Sequence, residues 1–269
     1  MPSSKKLILI SGLAILAVAL GLVYFLPKWA EAPGTENPSE SATTTGQVDV
    51  SGGVQAITST GEKIVGVDTS KLPPAPSLLR TVSYSSTLDA SVRNIIAQKI
   101  KDEVTILKNT PYNLEAWIGL GLYYKQAGDY QAAKDAWEYS SLISPGNIVS
   151  FNNLGDLYHY YLKDYPKAEA RFLSAIKNDK NYVLSYMNLF DLYRYSYKVD
   201  TTKAADILKQ GISTNPGNLD LRVALAHYYA EKGDTANAKA YYKEAINKAK
   251  SIGENGLAAT LQSELDGLK

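Results

Sequence analysis

The sequence predicts an all-α protein: a solenoid of helical hairpins with a capping helix at each end, preceded by one N-terminal transmembrane helix and a disordered linker. Three observations predict this architecture. Residues 7–26 carry no charge, residues 27–86 are rich in Pro, Ser, Thr and Gly, and the stretch AWIGLGLYYKQAGDYQAAKDAWEYSSLISPGN at 116–147 recurs in altered form along the chain. Together they divide the chain into a membrane segment, a tether and a repeat domain.

Residues 7–26, LILISGLAILAVALGLVYFL, predict a transmembrane helix, because a helix of this length spans the roughly 30 Å of a bilayer's hydrocarbon. Lys5 and Lys6 precede the stretch and acidic residues follow it, so we expect residues 1–6 in the cytoplasm and the rest of the chain on the outer side. Two alternatives remain open. Ala30-Glu31-Ala32 resembles a signal-peptidase site, although Pro33 would then begin the mature chain, and the stretch could also be a buried helix of a soluble domain.

Residues 27–86 predict a flexible linker. The part at 31–60 holds too little apolar surface to offset the entropy of ordering the chain. A flexible coil of this length reaches about 30 Å on average, which is enough to hold a following domain off the bilayer. The later segment KLPPAPSLL favours extended structure because of its prolines, and it could lie along the folded domain.

Charge and composition exclude several functions. The chain has 28 basic and 27 acidic residues, so no long-range field attracts nucleic acid, and we expect no nucleic-acid partner. It has no Cys, which excludes disulfides, thiolate metal ligands and a Cys nucleophile. No phosphate-binding glycine loop, nucleophile elbow or HExxH motif occurs. We therefore expect no catalysis, no cofactor and no metal site.

The stretch at 116–147 belongs to one unit of a repeat. Its landmarks are bulky and small residues at fixed distances, followed by a proline that ends the unit. In the first unit they are Trp117, Leu120, Gly121, Tyr124, Gly128, Ala133, Trp137 and Pro145. They return as Phe151, Leu154, Gly155, Tyr158, Ala168 and Phe172, then as Tyr186, Leu189, Tyr193, Ala204, Leu208 and Pro216, and then as Leu225, Ala226, Tyr229, Gly233, Ala238, Tyr242 and Ala245.

This pattern resembles the tetratricopeptide repeat, whose units begin W-x2-L-G-x2-Y, and WIGLGLYY reproduces that start. The resemblance implies units of two antiparallel helices that stack into a right-handed solenoid, and it assigns them to 114–147, 148–182, 183–218 and 219–252. Gly121 and Gly155 are expected to be small because the two helices of a unit touch there. The tyrosines equivalent to Tyr124 are expected to pack beneath the next unit.

Both ends of the solenoid need a cover, because each unit buries its faces against its neighbours. An apolar stripe from Val92 to Leu107 predicts a capping helix within 87–113, and a stripe from Leu257 to Leu268 predicts another within 253–269. The second unit has one extra residue near YLKDYP and the third has two near YSYKVDTT, both of which we place in turns. Phe190 replaces the small residue of the third unit, so that hairpin is either splayed or shifted in register.

The resemblance places the binding surface in the groove lined by the first helix of each unit. The side chains that we expect to face it are Asn152, Asn153, Asp156, His159, Tyr160, Asn188, Asp191, Arg194, Tyr195 and His227. A repeated Asn can hold an extended peptide backbone, and a repeated Asp favours a basic ligand. The alternative is that NNLGDLY and MNLFDLY reproduce the family consensus with solvated Asn and Asp.

The two histidines and their acidic neighbours permit a second interpretation of the same surface. Asp156 precedes His159 by one helical turn, and a metal or acid–base site with Asp191 and His227 can be imagined. Because no ligand cluster is local in sequence, we interpret these residues as hydrogen-bonding groups on a polar helical surface.

These observations predict a membrane-anchored scaffold that binds a protein or peptide partner in its groove and assists assembly of an envelope complex. Two alternatives stay open. The protein could be an accessory subunit recruited through residues 7–26 with the solenoid as a spacer. It could also bind glycans through stacked Tyr rings and polar side chains in the groove.

Overall fold

The computed structural model describes residues 67–268, and within these residues the structure contains ten α-helices, a short 3₁₀ helix at Thr69–Lys71, a π-helical turn and no strand. The prediction of an all-α helical solenoid is confirmed. The helices are α1 (Ala90–Asn109), α2 (Leu114–Ala127), α3 (Tyr130–Ile143), α4 (Ile148–Asp156), α5 (Tyr165–Asn178), α6 (Val183–Tyr195), α7 (Lys203–Thr214), α8 (Asp220–Glu231), α9 (Thr235–Ser251) and α10 (Asn255–Asp266).

Residues 7–26, with the predicted transmembrane helix, and the linker up to residue 66 lie outside the described residues. In the part of the chain that the structure does describe, none of the helices combines the length and apolar character that crossing a bilayer requires. The membrane segment therefore stays a prediction from the sequence.

Side-chain caps begin most of the repeat helices. The side-chain oxygens of three asparagines accept a hydrogen bond from a backbone N–H at the start of a helix. These are Asn113 for α2, Asn147 for α4 and Asn218 for α8. An Asp caps α3, α5 and α9 in the same way. Each cap satisfies one of the free N–H groups of the first turn, which typically stabilises a helix by about 1 kcal/mol. In the third hairpin neither α6 nor α7 has a side-chain cap.

The two helices of each of the first two hairpins touch at a glycine. A methyl group on Gly121 would lie 2.5–2.7 Å from ring atoms of Trp137, and one on Gly155 would lie 2.5–2.8 Å from ring atoms of Phe172. Real carbon atoms do not approach so closely, so a larger residue would push the helices apart.

The third hairpin stays packed although it lacks this glycine. Phe190 is 2 % exposed and stacks edge-on against Tyr228 of α8, with 5.7 Å between ring centroids. The close approach to α7 is instead made by the Tyr186 ring, whose atoms lie 3.2 Å from where a methyl group on Gly211 would be. Phe190 therefore packs toward the next hairpin, and the small residue at this helix contact is Gly211, on the second helix.

The extra residue of the second unit lies within a helix, which corrects its predicted position in the turn. Helix α4 continues as a π-helical turn at Leu157–Tyr161, closed by a hydrogen bond of 2.9 Å from the Leu162 N–H to the Leu157 carbonyl. A π-turn accommodates one residue more than an α-turn. Side chains after Leu157 are therefore rotated relative to those of the other units.

The tyrosines equivalent to Tyr124 are buried, but their hydroxyl groups point toward the preceding hairpin and not the next one. Tyr158 donates a hydrogen bond of 2.7 Å to Glu138 of α3, and Tyr193 donates one of 2.5 Å to Glu169 of α5. Their rings thus tie each hairpin to the second helix of the hairpin before it, with the polar end bonded and the apolar body packed.

The end of the predicted linker is ordered against the solenoid. Residues 67–89, which we call the strap, pack Leu72, Leu78, Val82, Tyr84 and Leu88 onto the hydrophobic core. The Ser85 N–H donates to the Ala127 carbonyl over 2.7 Å, and the Ser83 N–H donates to Asp129 over 3.0 Å.

One strap side chain, Arg80, makes its contacts far along the chain. Its Nη1 atom lies 3.1 Å from the Asp135 carboxylate, and its guanidinium group lies 5.6 Å from the centre of the Tyr124 ring. The prediction of a flexible linker at 27–86 is therefore wrong for residues 67–86, which lie along the folded domain.

Helices cover both ends of the described solenoid. Helix α1 packs on α2 through Ile96, Ile100 and Leu107, and α10 packs on α9 through Ala258, Leu261 and Leu265. Leu257 is exposed, and Ala258 takes its expected place in the core. The polar outer faces of these two helices leave the apolar layers between hairpins closed at each end.

Candidate functional site

The first helices of the hairpins, α2, α4, α6 and α8, lie next to one another and form one surface, which we call the inner face. Side chains bridge each neighbouring pair of these helices. Lys125 of α2 pairs with Asp156 of α4, and Arg194 of α6 pairs with Glu231 of α8. His227 of α8 is hydrogen-bonded to Glu264 of the capping helix α10, with 2.8 Å between Nε2 and Oε2.

The junction between α4 and α6 is joined by neutral groups. The Asn152 Oδ1 atom accepts hydrogen bonds from Asn188 Nδ2 at 3.1 Å and from Ser185 Oγ at 3.2 Å. Asn152 is 6 % exposed, so its amide belongs to the contact between helices and is not accessible to a ligand in this structure. Asn153, its neighbour, is half-buried.

His159 is also inaccessible, because the π-turn rotates it into the protein. It is 2 % exposed, its Nε2 atom lies 2.8 Å from the Ser196 hydroxyl, and its ring lies 3.9 Å from that of Tyr160. Burial lowers the pKa of His159, since the charged imidazolium would lose its hydration. Among the described residues no group of three or more His, Asp and Glu could hold a metal ion.

Two accessible tyrosines and one half-buried carboxylate lie where α4 meets α6. Tyr160 is 45 % exposed and Tyr195 is 61 % exposed, and Asp191 lies half-buried between the helices that carry them. Burial raises the pKa of Tyr160 to about 12, and the negative charges of Asp191 and Asp156 add to this shift. The Asp191 and Asp156 carboxylates therefore act on the Tyr160 hydroxyl electrostatically.

Burial also raises the pKa of Asp191, and the positive charge of Arg194 opposes the shift without cancelling it. The Arg194 guanidinium is held elsewhere: it pairs with Glu231 and lies 4.7 Å from the centre of the Tyr195 ring. Within the described residues Asp191 makes no hydrogen bond and no ion pair, in contrast to Asp156.

Tyr161 lies on this surface although it is not among the residues predicted from the sequence. The π-turn brings Tyr161 to the inner face, where its ring lies 4.6 Å from that of Tyr130 and 5.0 Å from the Lys125 ammonium. No local signal in the sequence announces a π-turn. The predicted residues thus separate into four groups: the buried Asn152 and His159, the bridging Asp156, Asn188, Arg194 and His227, the half-buried Asn153 and Asp191, and the accessible Tyr160 and Tyr195.

The tetratricopeptide-repeat family model matches two parts of the chain, residues 114–138 and 219–247. A comparison with curated proteins gives no match. Among solved structures the fold is similar to a crystal structure of MamA, with 21 % sequence identity, a TM-score of 0.50, and coverage of 62 % of this chain and 98 % of MamA.

Two further solved structures are similar at lower TM-scores. PilF of Pseudomonas aeruginosa is 19 % identical over 65 % of this chain and 85 % of its own, with a TM-score of 0.47. YrrB, described as a TPR protein with an unusual peptide-binding site, is 12 % identical over 60 % of this chain and 84 % of its own, with a TM-score of 0.43. At 21 % identity, the likeness to MamA shows a shared fold alone. Residues 114–138 and 219–247 thus match the tetratricopeptide repeat, and the described residues form a helical-hairpin solenoid of that kind.

Proposed function

We propose that this protein is a membrane-anchored scaffold that binds a peptide segment or protein partner on its inner face and assists assembly of an envelope complex. Tetratricopeptide repeats are protein-interaction modules, and the proposal involves no catalysis. The anchor is the helix expected at residues 7–26, and the linker that follows it would hold the solenoid away from the bilayer.

The observation that carries the proposal is the exposure of large side chains on the first helices. Leu122, Val149, Tyr160, Leu184 and Tyr195 are each at least 37 % exposed on α2, α4 and α6 or the π-turn. Exposed apolar and aromatic groups that share one surface with polar residues are typical of an interaction site. This mixture suits a segment that presents both apolar and polar side chains.

Site-specific photocrosslinking in native membranes tests this proposal. A benzophenone amino acid is placed at one of two positions. Leu184 is 41 % exposed on α6, a first helix, and Leu173 is 44 % exposed on α5, the second helix of its hairpin. The two positions match in residue type and exposure. We expect a discrete adduct from position 184 and none from 173. Equal labelling from both positions would contradict binding on the inner face.

The same experiment with residues 7–26 replaced by an unrelated apolar helix separates the groove from the membrane segment. The adduct from position 184 should persist, because the inner face and not the anchor selects the partner. Loss of the adduct would favour the alternative in which the transmembrane helix carries the specificity and the solenoid is a spacer. Protease treatment of intact cells should cleave the solenoid, and protection would contradict the outward orientation.

A further inference from the structure

Two of the three junctions between first helices contain an ion pair. Lys125 pairs with Asp156 at the α2–α4 junction, and Arg194 pairs with Glu231 at the α6–α8 junction. Across the α4–α6 junction no ion pair occurs in the described residues, although an acidic side chain, Asp191, is in place. The junction has the carboxylate and lacks the cation.

The unpaired carboxylate is poorly solvated. Asp191 is half-buried, and a carboxylate that loses water without gaining a partner raises the free energy of the folded protein. The nearest cation along its own helix, Arg194, is engaged by Glu231 and lies against the rings of Tyr195 and Phe190. An external cation at Asp191 would supply the missing partner.

Each of the two helices at this junction contributes an aromatic ring. Tyr160 follows α4 in the π-turn and is 45 % exposed, and Tyr195 ends α6, the helix that also carries Asp191, and is 61 % exposed. The face of an aromatic ring attracts an ammonium or guanidinium group within about 6 Å of its centre. The surface already uses this contact twice, with Lys125 over Tyr161 and Arg194 over Tyr195.

We propose that the α4–α6 junction binds the cationic group of a Lys or Arg side chain from the partner, held by the Asp191 carboxylate and by the rings of Tyr160 and Tyr195. The proposal rests on the proposed function and names the chemistry of the segment that the inner face recognises. The basic group gives the α4–α6 junction an ion pair like those of the α2–α4 and α6–α8 junctions, and charge complementarity therefore selects basic over neutral or acidic segments.

Apolar side chains on the same helix predict the spacing of the segment. Leu184 precedes Asp191 by seven residues, which is about 10 Å along an α-helix. An extended peptide covers this distance in about three residues. A segment that runs along α6 would thus place a large apolar side chain against Leu184 and a basic one, about three residues away, at Asp191.

The test uses the full chain in non-ionic detergent and fluorescein-labelled octapeptides. One probe contains a Leu and a Lys separated by two alanines, a second has the reverse order, and in matched controls Gln replaces the Lys. We expect one of the two Lys probes to bind about tenfold more tightly than its Gln control, as a charge-assisted hydrogen bond implies. Equal affinity for Lys and Gln probes would overturn the proposal, and so would binding of no probe below about 1 mM.

Two variants assign the effect to the site. Asp191→Asn keeps the shape of the side chain and removes its charge, so the preference for Lys over Gln should vanish. Asp220→Asn is the matched control, because it removes the charge of another half-buried carboxylate, on α8, whose pKa burial also raises. It should leave the preference unchanged. A preference that survives in Asp191→Asn, or disappears in both variants, would contradict the assignment.

A third variant tests the rings. Replacing Tyr160 and Tyr195 together with Leu keeps the apolar volume and removes the aromatic faces, which should weaken the Lys probe by about threefold or more relative to the Gln probe. An unchanged ratio would remove the rings from the site. If the adduct from position 184 forms but no probe distinguishes Lys from Gln, the inner face binds a partner of other chemistry. If that adduct is absent, the proposed function itself fails.

Discussion

Replacing Gly121 with Ala tests the helix crossing on which the first hairpin depends. Gly121 lies in the middle of α2, and its Cα faces the indole ring of Trp137, which is 1 % exposed on α3. A methyl group at this position would lie 2.5 Å from Cδ1 and 2.7 Å from Cε2 of that ring. Ordinary contact between such atoms is about 3.5–4.0 Å, so the ring or the helix must move by about 1 Å.

The magnitude follows from three contributions. Inserting a methyl group into a packed core costs about 1–3 kcal/mol. Displacing Trp137 also weakens the hydrogen bond of 3.0 Å that its Nε1 donates to the Ile118 carbonyl, at a cost of about 1 kcal/mol. Ala is the better helix former by about 1 kcal/mol, which offsets part of the loss. We therefore expect Gly121→Ala to lower the free energy of unfolding by about 2 kcal/mol.

Thermal unfolding followed by circular dichroism measures this change. A loss of 2 kcal/mol corresponds to a fall in Tm of about 4–8 °C for a folded region of this size. Gly256→Ala is the matched control, because Gly256 is also helical and a methyl group there would meet nothing within 4 Å. It should leave Tm unchanged or raise it slightly. If Gly121→Ala and Gly256→Ala have the same Tm, the two helices do not touch as described.

Three further changes test other parts of the structure. Arg80→Ala removes the contacts of the strap with Asp129, Asp135 and Tyr124. We expect the free energy of unfolding in urea to fall by about 1–2 kcal/mol and proteolysis between residues 67 and 89 to become faster. An unchanged cleavage rate would contradict the docking of the strap. Tyr158→Phe removes one hydrogen bond to Glu138 and should cost about 1–2 kcal/mol, whereas no loss would mean that water replaces the hydroxyl. Asp191→Asn should raise Tm at neutral pH. Because burial raises the pKa of Asp191, protonation of its carboxyl stabilises the folded state, and this stabilisation is fully present below the usual pKa of an Asp. The stabilisation is lost as the pH rises through the folded-state pKa. The gap between variant and wild type should therefore close in acid, and a gap independent of pH would contradict the burial of this group.

The helix crossings were predictable because they depend on volume at fixed offsets. The sequence indicates that the helices of a hairpin touch at Gly121 and Gly155, since they meet at the same positions in every unit. Their partners in the structure are Trp137 and Phe172, large residues that the sequence pattern places in the layer between units. Phe190 shows the limit of this reasoning. The sequence alone was compatible with a splayed third hairpin, because a bulky residue stands at the small position. The hairpin stays packed because Gly211 provides space on the facing helix.

The π-turn could not be predicted from local patterns, and for the strap the sequence indicates only that the Pro-rich segment KLPPAPSLL could lie along the folded domain. Arg80 finds its carboxylate partner 55 residues further along the chain, so nothing near it in sequence indicates that it is bound. The π-turn changes which of three consecutive residues faces outward, which buries His159 and exposes Tyr160 and Tyr161. The sequence therefore indicates which helices carry the candidate residues, but the accessibility of the individual side chains depends on the hydrogen bonding of this one turn.

The central claim is that the inner face at the α4–α6 junction is where the partner binds. Hydroxyl-radical footprinting tests it most directly, because radicals modify Tyr and Leu side chains in proportion to their exposure. The full chain is labelled in native membranes and after purification in detergent. We predict that modification of Tyr160 and Tyr195 falls in native membranes, whereas that of Leu173 and Leu79, which are exposed away from the inner face, stays the same. Equal modification of Tyr160 and Tyr195 in the two preparations would contradict the claim.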